Sequence, residues 1–401
     1  MATLGFMAGA ETGGLEEITA TQGAPSAQST TTRTGGYAFL LAGNTTQQLI
    51  SSGVLAVGHY LVSVGIRFTD LSPATAIAFY RGNSDGGILQ VSLRLETNGD
   101  LAIVDSLNAI VATATNPFTI NTWHYLEFFW EHEGSATATV WVDGTQILTV
   151  SAVDLSTGVV FAKHRFGGPT AATDGDIYID DWTVYTGALA ADRLSNGTSA
   201  PFAEVFVYQN HKASTAADAG LTPNDSTLGA GNWSNTGETP MSETNVSTYS
   251  ASGVNGAVLH DDAGSPNGPG PSGGAYTING TIKGANWIWR LLRGAGAGTT
   301  HSIYYGNGTD IPIVASTQEL TTSYANYSRL SEAANAVPTS AQVFAAGFGT
   351  GGAQDISCAE MWAMLLHQSP AVAADLPPGL GPVVAMAQPE HSMISGALLR
   401  W

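Results

Sequence analysis

The stretch that decides the fold runs from Val159 to Tyr185 and reads VVFAKHRFGGPTAATDGDIYIDDWTVY. It holds a short apolar run, then a loop of glycine, proline and threonine, then a strand in which apolar and polar residues alternate. Because side chains along a strand switch faces at every residue, we expect two opposed sets. The first set is Ile177, Ile179 and Asp181, and the second is Tyr178, Asp180 and Trp182. The pattern predicts a strand that closes a β domain.

A weaker copy of this plan lies at 343–364 and reads VFAAGFGTGGAQDISCAEMWAM. Both copies contain Val-Phe-Ala, then Phe-Gly, then a glycine-rich loop and a strand that opens on Asp-Ile. A tryptophan follows in each strand, Trp182 in the first copy and Trp362 in the second. The repetition predicts two β domains built to one plan, each closed by its last strand.

The composition is that of a turn-rich β protein. The chain has 401 residues, of which 48 are glycine and only 11% are charged. Long helices need stripes of Glu, Lys, Leu and Ala, whereas this bias is typical of strands and turns. Hydrophobic residues make up 43% of the chain, which is enough for packed cores. The length suits two domains, since single domains usually run to ~100–200 residues.

Charge and apolar runs exclude several classes of function. The net charge is −19, from 13 basic and 32 acidic residues, so we expect neither nucleic acid nor an anionic membrane as a partner. The sequence contains no run of ~20 apolar residues, so we predict no membrane span. The first residues also lack the pattern of a signal peptide. The one cysteine, Cys358, cannot form an internal disulfide, so we expect it to be a buried small side chain.

Strand signals recur about every ten residues, with turn residues between them, which is typical of antiparallel sandwiches. In the clearest strand, alternate positions hold Tyr60, Val62, Val64, Ile66 and Phe68. We therefore predict an all-β chain of two antiparallel β-sandwich (jelly-roll) domains in tandem, followed by an extended arm. The predicted boundaries are 1–187 for the first domain, 188–200 for a linker, 201–369 for the second domain and 370–401 for a Pro-rich C-terminal arm.

Short motifs of the first domain resemble those of a known family. They are Trp123-His124-Tyr125-Leu126-Glu127, Val140-Trp141-Val142-Asp143-Gly144 and Ile177-Tyr178-Ile179-Asp180-Asp181-Trp182. In this order they resemble a concanavalin-A-like (laminin-G-like) jelly roll that covers residues 1–187. A chain with such a domain first and a second β domain after it is similar in style to virion structural proteins of tailed bacteriophages. The resemblance implies two packed antiparallel sheets and a structural or surface-binding role in a virion. It does not imply an enzyme, because nothing here matches the Glu-x-Asp-x-x-Glu strand of the glucanase branch.

Acidic residues beside the closing strand are the weak candidates for a metal site. Some relatives in the resembled family hold calcium on loop carboxylates and carbonyls, and the residues concerned here are Asp174, Asp176 and Asp180. Asp180 and Asp181 should point to opposite faces, so they can share an ion only across a bulge. The alternative is that one of them caps backbone N–H groups. We predict no metal and no cofactor.

The strand that begins at Trp123 carries the candidates for glycan cleavage, Glu127, Glu131 and Glu133. Paired carboxylates hydrolyse glycosides when they face each other across a cleft at ~5–9.5 Å. Beside Gly134, however, Glu131 and Glu133 are better explained as the solvent end of the strand. We therefore assign no catalytic residue.

Aromatic residues of the second half are the candidates for contact with a carbohydrate or a partner. Aromatic rings stack on sugars and anchor protein interfaces, although packing in a core is the simpler interpretation for each ring taken alone. The candidates are Trp233, Trp287, Trp289, Tyr304, Tyr305 and Trp401.

These expectations combine into three hypotheses about function. The first is a non-enzymatic bacteriophage virion structural protein of the tail, a fibre or the capsid surface, which assembles through subunit contacts. Its expected partners are other virion proteins, further copies of the chain and a host-surface glycan, and its expected location is the virion, after synthesis in the host cytoplasm. The alternative is a carbohydrate-binding module for host-surface attachment. A glycan-cleaving enzyme is the weaker alternative.

Overall fold

The computed structural model describes most of the first half of the chain and the strands of the second half. The described residues are 2–10, 12–43, 46–52, 58–156, 158–167, 175–195, 203–208, 218–219, 221–223, 247–251, 256–261, 281–293, 300–306, 313–319, 321, 323, 325–331, 345–350 and 356–368. The predicted C-terminal arm, 370–401, lies outside them. Among these residues, no helix has the length and apolar character that crossing a bilayer requires.

The chain is all-β, as predicted, and the described residues of its first half form fifteen strands. They are β1 Thr3–Ala8, β2 Ala20–Gln22, β3 Ser26–Gln28, β4 Ala38–Leu41, β5 Gln48–Ser52, β6 His59–Phe68, β7 Ile77–Ser84, β8 Leu89–Leu95, β9 Leu101–Val104, β10 Ile110–Ala114, β11 His124–Glu131, β12 Ala136–Val142, β13 Thr145–Val153, β14 Phe161–Phe166 and β15 Ile177–Thr186. A short 3-10 helix follows at Ala190–Asp192.

These strands form two antiparallel sheets that pack as a sandwich. The first sheet has the order β13-β12-β11-β6-β15-β4-β3, with β1 paired to β15. The second sheet has the order β10-β9-β8-β7-β14-β5-β2. The fold-deciding stretch therefore supplies one central strand to each sheet, β14 to the second and β15 to the first.

Alternation along the strands builds the core between the sheets. The predicted inward set of β6 is buried together with Leu126, Phe128 and Trp130 of β11 and with Val91 and Leu93 of β8. Burial of one large apolar side chain contributes about 1.5–3 kcal/mol. The core is the main source of stability in this half, because it joins both sheets along their full width.

The prediction for the closing strand was wrong at one point, because β15 contains a β-bulge. Its register against β6 slips between Asp180 and Thr183, and Asp181 has a positive φ of 49°. The extra residue changes the phase of the alternation, so Trp182 is buried in the same core as Ile177 and Ile179. Asp180 and Asp181 consequently reach the same neighbours rather than opposite faces.

The two aspartates of the bulge hold the segment around Arg33 against the first sheet. Asp180 Oδ2 accepts hydrogen bonds from the backbone N–H of Arg33 at 3.0 Å and of Thr34 at 3.3 Å. Asp181 pairs with the Arg33 guanidinium, and its Oδ1 accepts a 2.8 Å bond from Thr34 Oγ1. Asp180 thus caps backbone N–H groups, which was the alternative to a metal ligand. Gly65 lies beneath, where a Cβ would overlap the Arg33 side chain.

The described residues of the second half form eleven further strands. They are β16 Ala203–Tyr208, β17 Asp218–Ala219, β18 Leu221–Pro223, β19 Ser247–Ala251, β20 Gly256–Asp261, β21 Thr281–Arg293, β22 Thr300–Gly306, β23 Ile313–Glu319, β24 Ala325–Ser331, β25 Ala345–Thr350 and β26 Ile356–Gln368. One antiparallel sheet has the order β18-β19-β26-β21-β24, with β16 paired to β26, and the other has the order β17-β20-β25-β22-β23. As in the first half, the two strands of the repeated plan, β25 and β26, lie in different sheets.

The second half packs on the outer face of the first sheet. Leu61, Phe129 and Tyr185 of that face are buried in one cluster with Ile288 and Leu366. The predicted linker takes part, since Ala188 and Leu194 belong to the same cluster and Gln368 Nε2 donates a 2.7 Å bond to the carbonyl of Leu194. Residues 188–195, part of the predicted linker, therefore pack between the two halves.

Candidate functional site

The outer face of the second sheet concentrates positive charge in an acidic chain. It carries Arg81 on β7, Arg94 on β8, and Lys163 and Arg165 on β14. The whole chain has only 13 basic residues against 32 acidic ones, so four cations on one sheet are a strong local departure. We call these four residues the arginine face.

Alternation within each strand directs these side chains away from the core. Arg81 stands between Tyr80, which is buried in the core, and Gly82, where a Cβ would contact Trp130 and Val91. In the same way Arg94 is flanked by core residues Leu93 and Leu95, and Phe166 follows Arg165. Since successive residues of a strand point to opposite faces, the cations project outward.

The register brings three guanidinium groups onto three adjacent strands. Arg165 lies directly opposite Arg81 across the β14–β7 pair, and Arg81 lies opposite Ser92 across the β7–β8 pair. Arg94 is two residues along β8 from Ser92, on the same face. Because neighbouring strands are ~4.8 Å apart, the three side chains form a row across the sheet.

The four cations differ in whether a carboxylate neutralises them. Lys163 Nζ lies 2.7 Å from Asp85 Oδ1, and Arg94 Nε lies 2.6 Å from Glu96 Oε1. Among the described residues, no carboxylate forms an ion pair with Arg81 or Arg165. Arg81 and Arg165 are therefore the two residues of the arginine face whose positive charge no described carboxylate balances.

The hydrogen bonding of Arg81 and Arg165 is also incomplete. Arg165 Nη1 donates a 3.3 Å bond to Gln48 Oε1, but the Nε atoms of both arginines are buried without a partner in the described part of the chain. A buried donor left unpaired costs about 1–3 kcal/mol. Burial lowers the pKa of Arg81, and the nearby charge of Arg165 lowers it further. The two guanidinium groups thus repel each other, and an anion bound between them would relieve that repulsion.

The arginine face can bind anionic oxygens by its donors alone. A guanidinium group presents a planar fork of N–H donors that fits carboxylate, sulfate or phosphate oxygens in bidentate geometry. Directly between the arginines and the β9 strand lies Ser92, which is 1% exposed. The face therefore offers charge and hydrogen-bond donors beside one small buried side chain, that of Ser92.

A separate cleft of about 360 Å³ opens at one end of the sandwich. Gly58, His132, Val160 and Phe161 are among its lining residues. Burial lowers the pKa of His132, whose Nε2 lies 3.2 Å from Gln90 Oε1. The histidine is thus already engaged, and the cleft offers mainly apolar contact.

The aromatic candidates are distributed over different sheets. Trp287 and Trp289 lie on β21, in the six-stranded sheet, whereas Tyr304 and Tyr305 lie on β22, in the five-stranded sheet. Ile288, between the two tryptophans, is buried against the first half. Trp233 and Trp401 lie outside the described residues. Whether these six residues contact a ligand stays a prediction.

The acidic candidates near β15 are engaged by backbone groups. Asp176 Oδ1 accepts a 2.8 Å bond from the N–H of Gly43, and Asp180 caps Arg33 and Thr34 as described above. Asp174 lies outside the described residues. Within the described part of the chain, no group of three or more potential metal ligands comes together.

The three glutamates of β11 and its turn are also committed to structure. Glu127 is buried, and its Oε1 accepts bonds from the N–H groups of Leu194 at 2.8 Å and Ser195 at 3.2 Å. Glu131 Oε2 accepts a 2.7 Å bond from the N–H of Thr137, while Glu133 lies 3.7 Å from His59. Glu127 therefore fastens the predicted linker to the first sheet and is withdrawn from solvent.

The arginine face was missed at the level of sequence. Its only signal was that Arg81 and Arg165 each interrupt an apolar strand of a chain poor in cations. The decisive fact is their register across β14 and β7, and a separation of 84 residues conceals it.

Comparison with known proteins gives no family assignment. No family model matches the chain, and no curated protein matches it. Among solved structures, an endo-β-1,4-glucuronan lyase from Trichoderma reesei is 12% identical and covers 46% of this chain and 96% of its own, with a TM-score of 0.36. A carbohydrate esterase from the Shiga toxin-encoding bacteriophage phi24B is 18% identical and covers 47% of this chain and 100% of its own, with a TM-score of 0.36. Domain 4 of an arabinanase from Geobacillus stearothermophilus, solved with arabinotriose, is 17% identical and covers 47% and 95%, also at 0.36.

Proposed function

We propose that the chain is a carbohydrate-binding protein whose first domain holds its ligand on the outer face of the second sheet. The observation that carries the proposal is the pair of arginines placed side by side on that face without a described counter-ion. Buried polar groups in native structures are normally hydrogen-bonded, and an exception calls for an explanation, such as a bound water, ion or ligand. A guanidinium group carries several N–H donors, and the oxygen atoms of sugars and their substituents accept such bonds.

The outer face of the first sheet is already covered, which also favours the second sheet as the binding surface. The outer face of the first sheet packs against the second half and the linker, so its apolar residues already have partners. Arg94 and Lys163 at the border of the arginine face are partly exposed, at 19% and 25% of their side chains. A ligand that approaches the sandwich therefore has access to charged donors on the second sheet.

The test is binding of the whole chain to a panel of soluble neutral and acidic polysaccharides in affinity gel electrophoresis. We expect retardation by at least one polymer. Hydrogen exchange with that polymer should then show protection at 77–84, 89–95 and 161–166, with no change at 124–131. Lack of retardation across the panel, or protection restricted to the first sheet, would refute the proposal.

A structural role in a bacteriophage virion is the second candidate, and the fixed packing of the two halves favours it. Glu127 binds the residues that join them, and Gln368 bonds back to Leu194, so the two halves form a unit with a defined orientation. Such a unit is suited to repeated placement in an assembly and is compatible with glycan binding. Mass spectrometry of purified phage particles from a host that carries this gene should detect the chain at a fixed copy number. Its absence from the particles would refute this role.

A further inference from the structure

We propose that the ligand of the arginine face is an acidic polysaccharide, with Arg81 and Arg165 together binding a carboxylate of one sugar unit. The inference rests on the proposed function and specifies the chemical class of the glycan. What carries it is the juxtaposition of two guanidinium groups on facing residues of β7 and β14, with no ion-pair partner among the described residues.

A neutral sugar does not resolve this arrangement. Hydroxyl groups accept hydrogen bonds, but they leave two like charges facing each other, and like charges directly opposite on a sheet are destabilising. A carboxylate supplies both acceptor oxygens and a compensating charge. Charge-assisted hydrogen bonds of this type are roughly twice as strong as neutral ones.

The row of cations favours a polymer over a single small anion. Arg94 and Lys163 flank the central pair on β8 and β14 and are held by Glu96 and Asp85. The Asp85 side chain is 85% exposed, so its pair with Lys163 can exchange with a carboxylate of a ligand at little cost, since exposed ion pairs contribute only about 0–1 kcal/mol. Successive acidic units of one chain can then contact successive strands of the sheet.

Charge density distinguishes an acidic glycan from nucleic acid. Duplex DNA carries one charge per ~1.7 Å, and a chain of net charge −19 repels such a polymer strongly. An acidic polysaccharide carries at most about one carboxylate per sugar unit. The net charge of −19 therefore repels such a glycan less strongly than it repels DNA, while the contacts at the arginine face are direct.

The experiment measures the dissociation constant of the full chain for polygalacturonate and for the same polymer after full methyl esterification, at fixed ionic strength. We expect the esterified polymer to bind at least about 10-fold more weakly. Arg81→Gln and Arg165→Gln should each weaken binding of the acid form by about 10-fold, and Arg81→Lys, which keeps the charge but loses the fork, by an intermediate factor. The matched control Arg67→Gln removes a cation from the first sheet and should leave the dissociation constant unchanged.

Folding of the variants is followed separately by thermal unfolding. Arg81→Gln and Arg165→Gln should keep or raise the melting temperature, because each removes one of two repelling charges; a lowered melting temperature with unchanged binding would show a structural role and overturn the inference. Equal affinity for the acid and the ester would also overturn it while leaving glycan binding intact. Tighter binding to duplex DNA than to polygalacturonate would overturn the choice of ligand. If no polysaccharide of the panel bound, the proposed function itself would fail.

Discussion

The buried ion pair between Arg33 and Asp181 gives the sharpest prediction about stability. The two side chains are 7% and 0% exposed, and the Arg33 guanidinium also lies 4.8 Å from the centre of the Tyr125 ring. Burial alone lowers the pKa of Arg33, but attraction to Asp181, with smaller contributions from Tyr125 and Asp180, more than compensates and raises it. The pair is therefore charged and desolvated in the folded protein.

Asp181→Asn keeps the volume of the side chain and removes its charge. Loss of one partner from a buried ion pair costs about 3–5 kcal/mol, because the other charge stays buried. The contact with Tyr125 stabilises the remaining cation by about 0.5–2 kcal/mol, and Asp180 stays nearby, so we expect a loss close to the lower limit, about 3 kcal/mol. The measurement is the free energy of unfolding in urea, followed by tryptophan fluorescence.

The matched control is Asp85→Asn, which also removes an aspartate from an ion pair, that with Lys163 at 2.7 Å. Because the Asp85 side chain is 85% exposed, we expect no measurable change in the free energy of unfolding. The double variant Arg33→Met/Asp181→Asn should recover part of the loss, since it removes both charges of the pair. A loss below about 1 kcal/mol for Asp181→Asn would refute the reasoning that this pair is buried and coupled.

Other predictions concern buried titratable groups and the contact between the halves. Burial lowers the pKa of His164 from 6.5 to about 3, so the free energy of unfolding should fall as the pH drops below 6.5. His164→Phe should flatten this part of the pH profile in urea titrations. An unchanged slope in the variant would count against the role of His164. Burial raises the pKa of Glu17 from 4.5 to about 7, because its effect exceeds the lowering by hydrogen bonds from Thr12 and Gly9. The free energy of unfolding should therefore fall as the pH rises from 4.5 to 7, and Glu17→Gln should lose that slope. A slope of opposite sign would contradict the burial argument. Leu366→Ala should lower the free energy of unfolding by about 2–5 kcal/mol, because Leu366 is buried between the two halves. Amide hydrogen exchange of the first sheet should then become faster. Protection retained at 124–131 would show that the halves do not support each other.

Strand positions and inward faces were readable from the sequence wherever a strand is regular. Tyr60, Val62, Val64, Ile66 and Phe68 alternate along β6 and all lie in one core, because a period of two places one set of side chains on the core side. The strands of the copied motif, β25 and β26, were also readable from the sequence. These features depend only on local spacing.

Two kinds of feature could not be predicted in this way. The bulge at Asp180 and Asp181 adds a residue to β15, and the alternation itself gives no sign of it, so Trp182 was assigned to the wrong face. The role of Glu127 depends on the packing of Leu194 and Ser195 on the sheet, across 67 and 68 residues of sequence. Contacts at such separations are set by tertiary structure rather than by local pattern.

The arginines of the first domain differ in their partners, and this difference indicates which sheet is built for stability and which for binding. Arg33 is paired with Asp181 on the first sheet, whereas Arg81 and Arg165 face each other on the second without a described counter-ion. If positive charge on the second sheet served only to stabilise the sandwich, an acidic chain with 32 carboxylates would be expected to place one beside this pair. The pair instead keeps two like charges together, an unfavourable arrangement that a bound anion would relieve. The same comparison explains why substitution at Arg33 should destabilise the protein, while substitution at Arg81 should leave it stable and weaken binding.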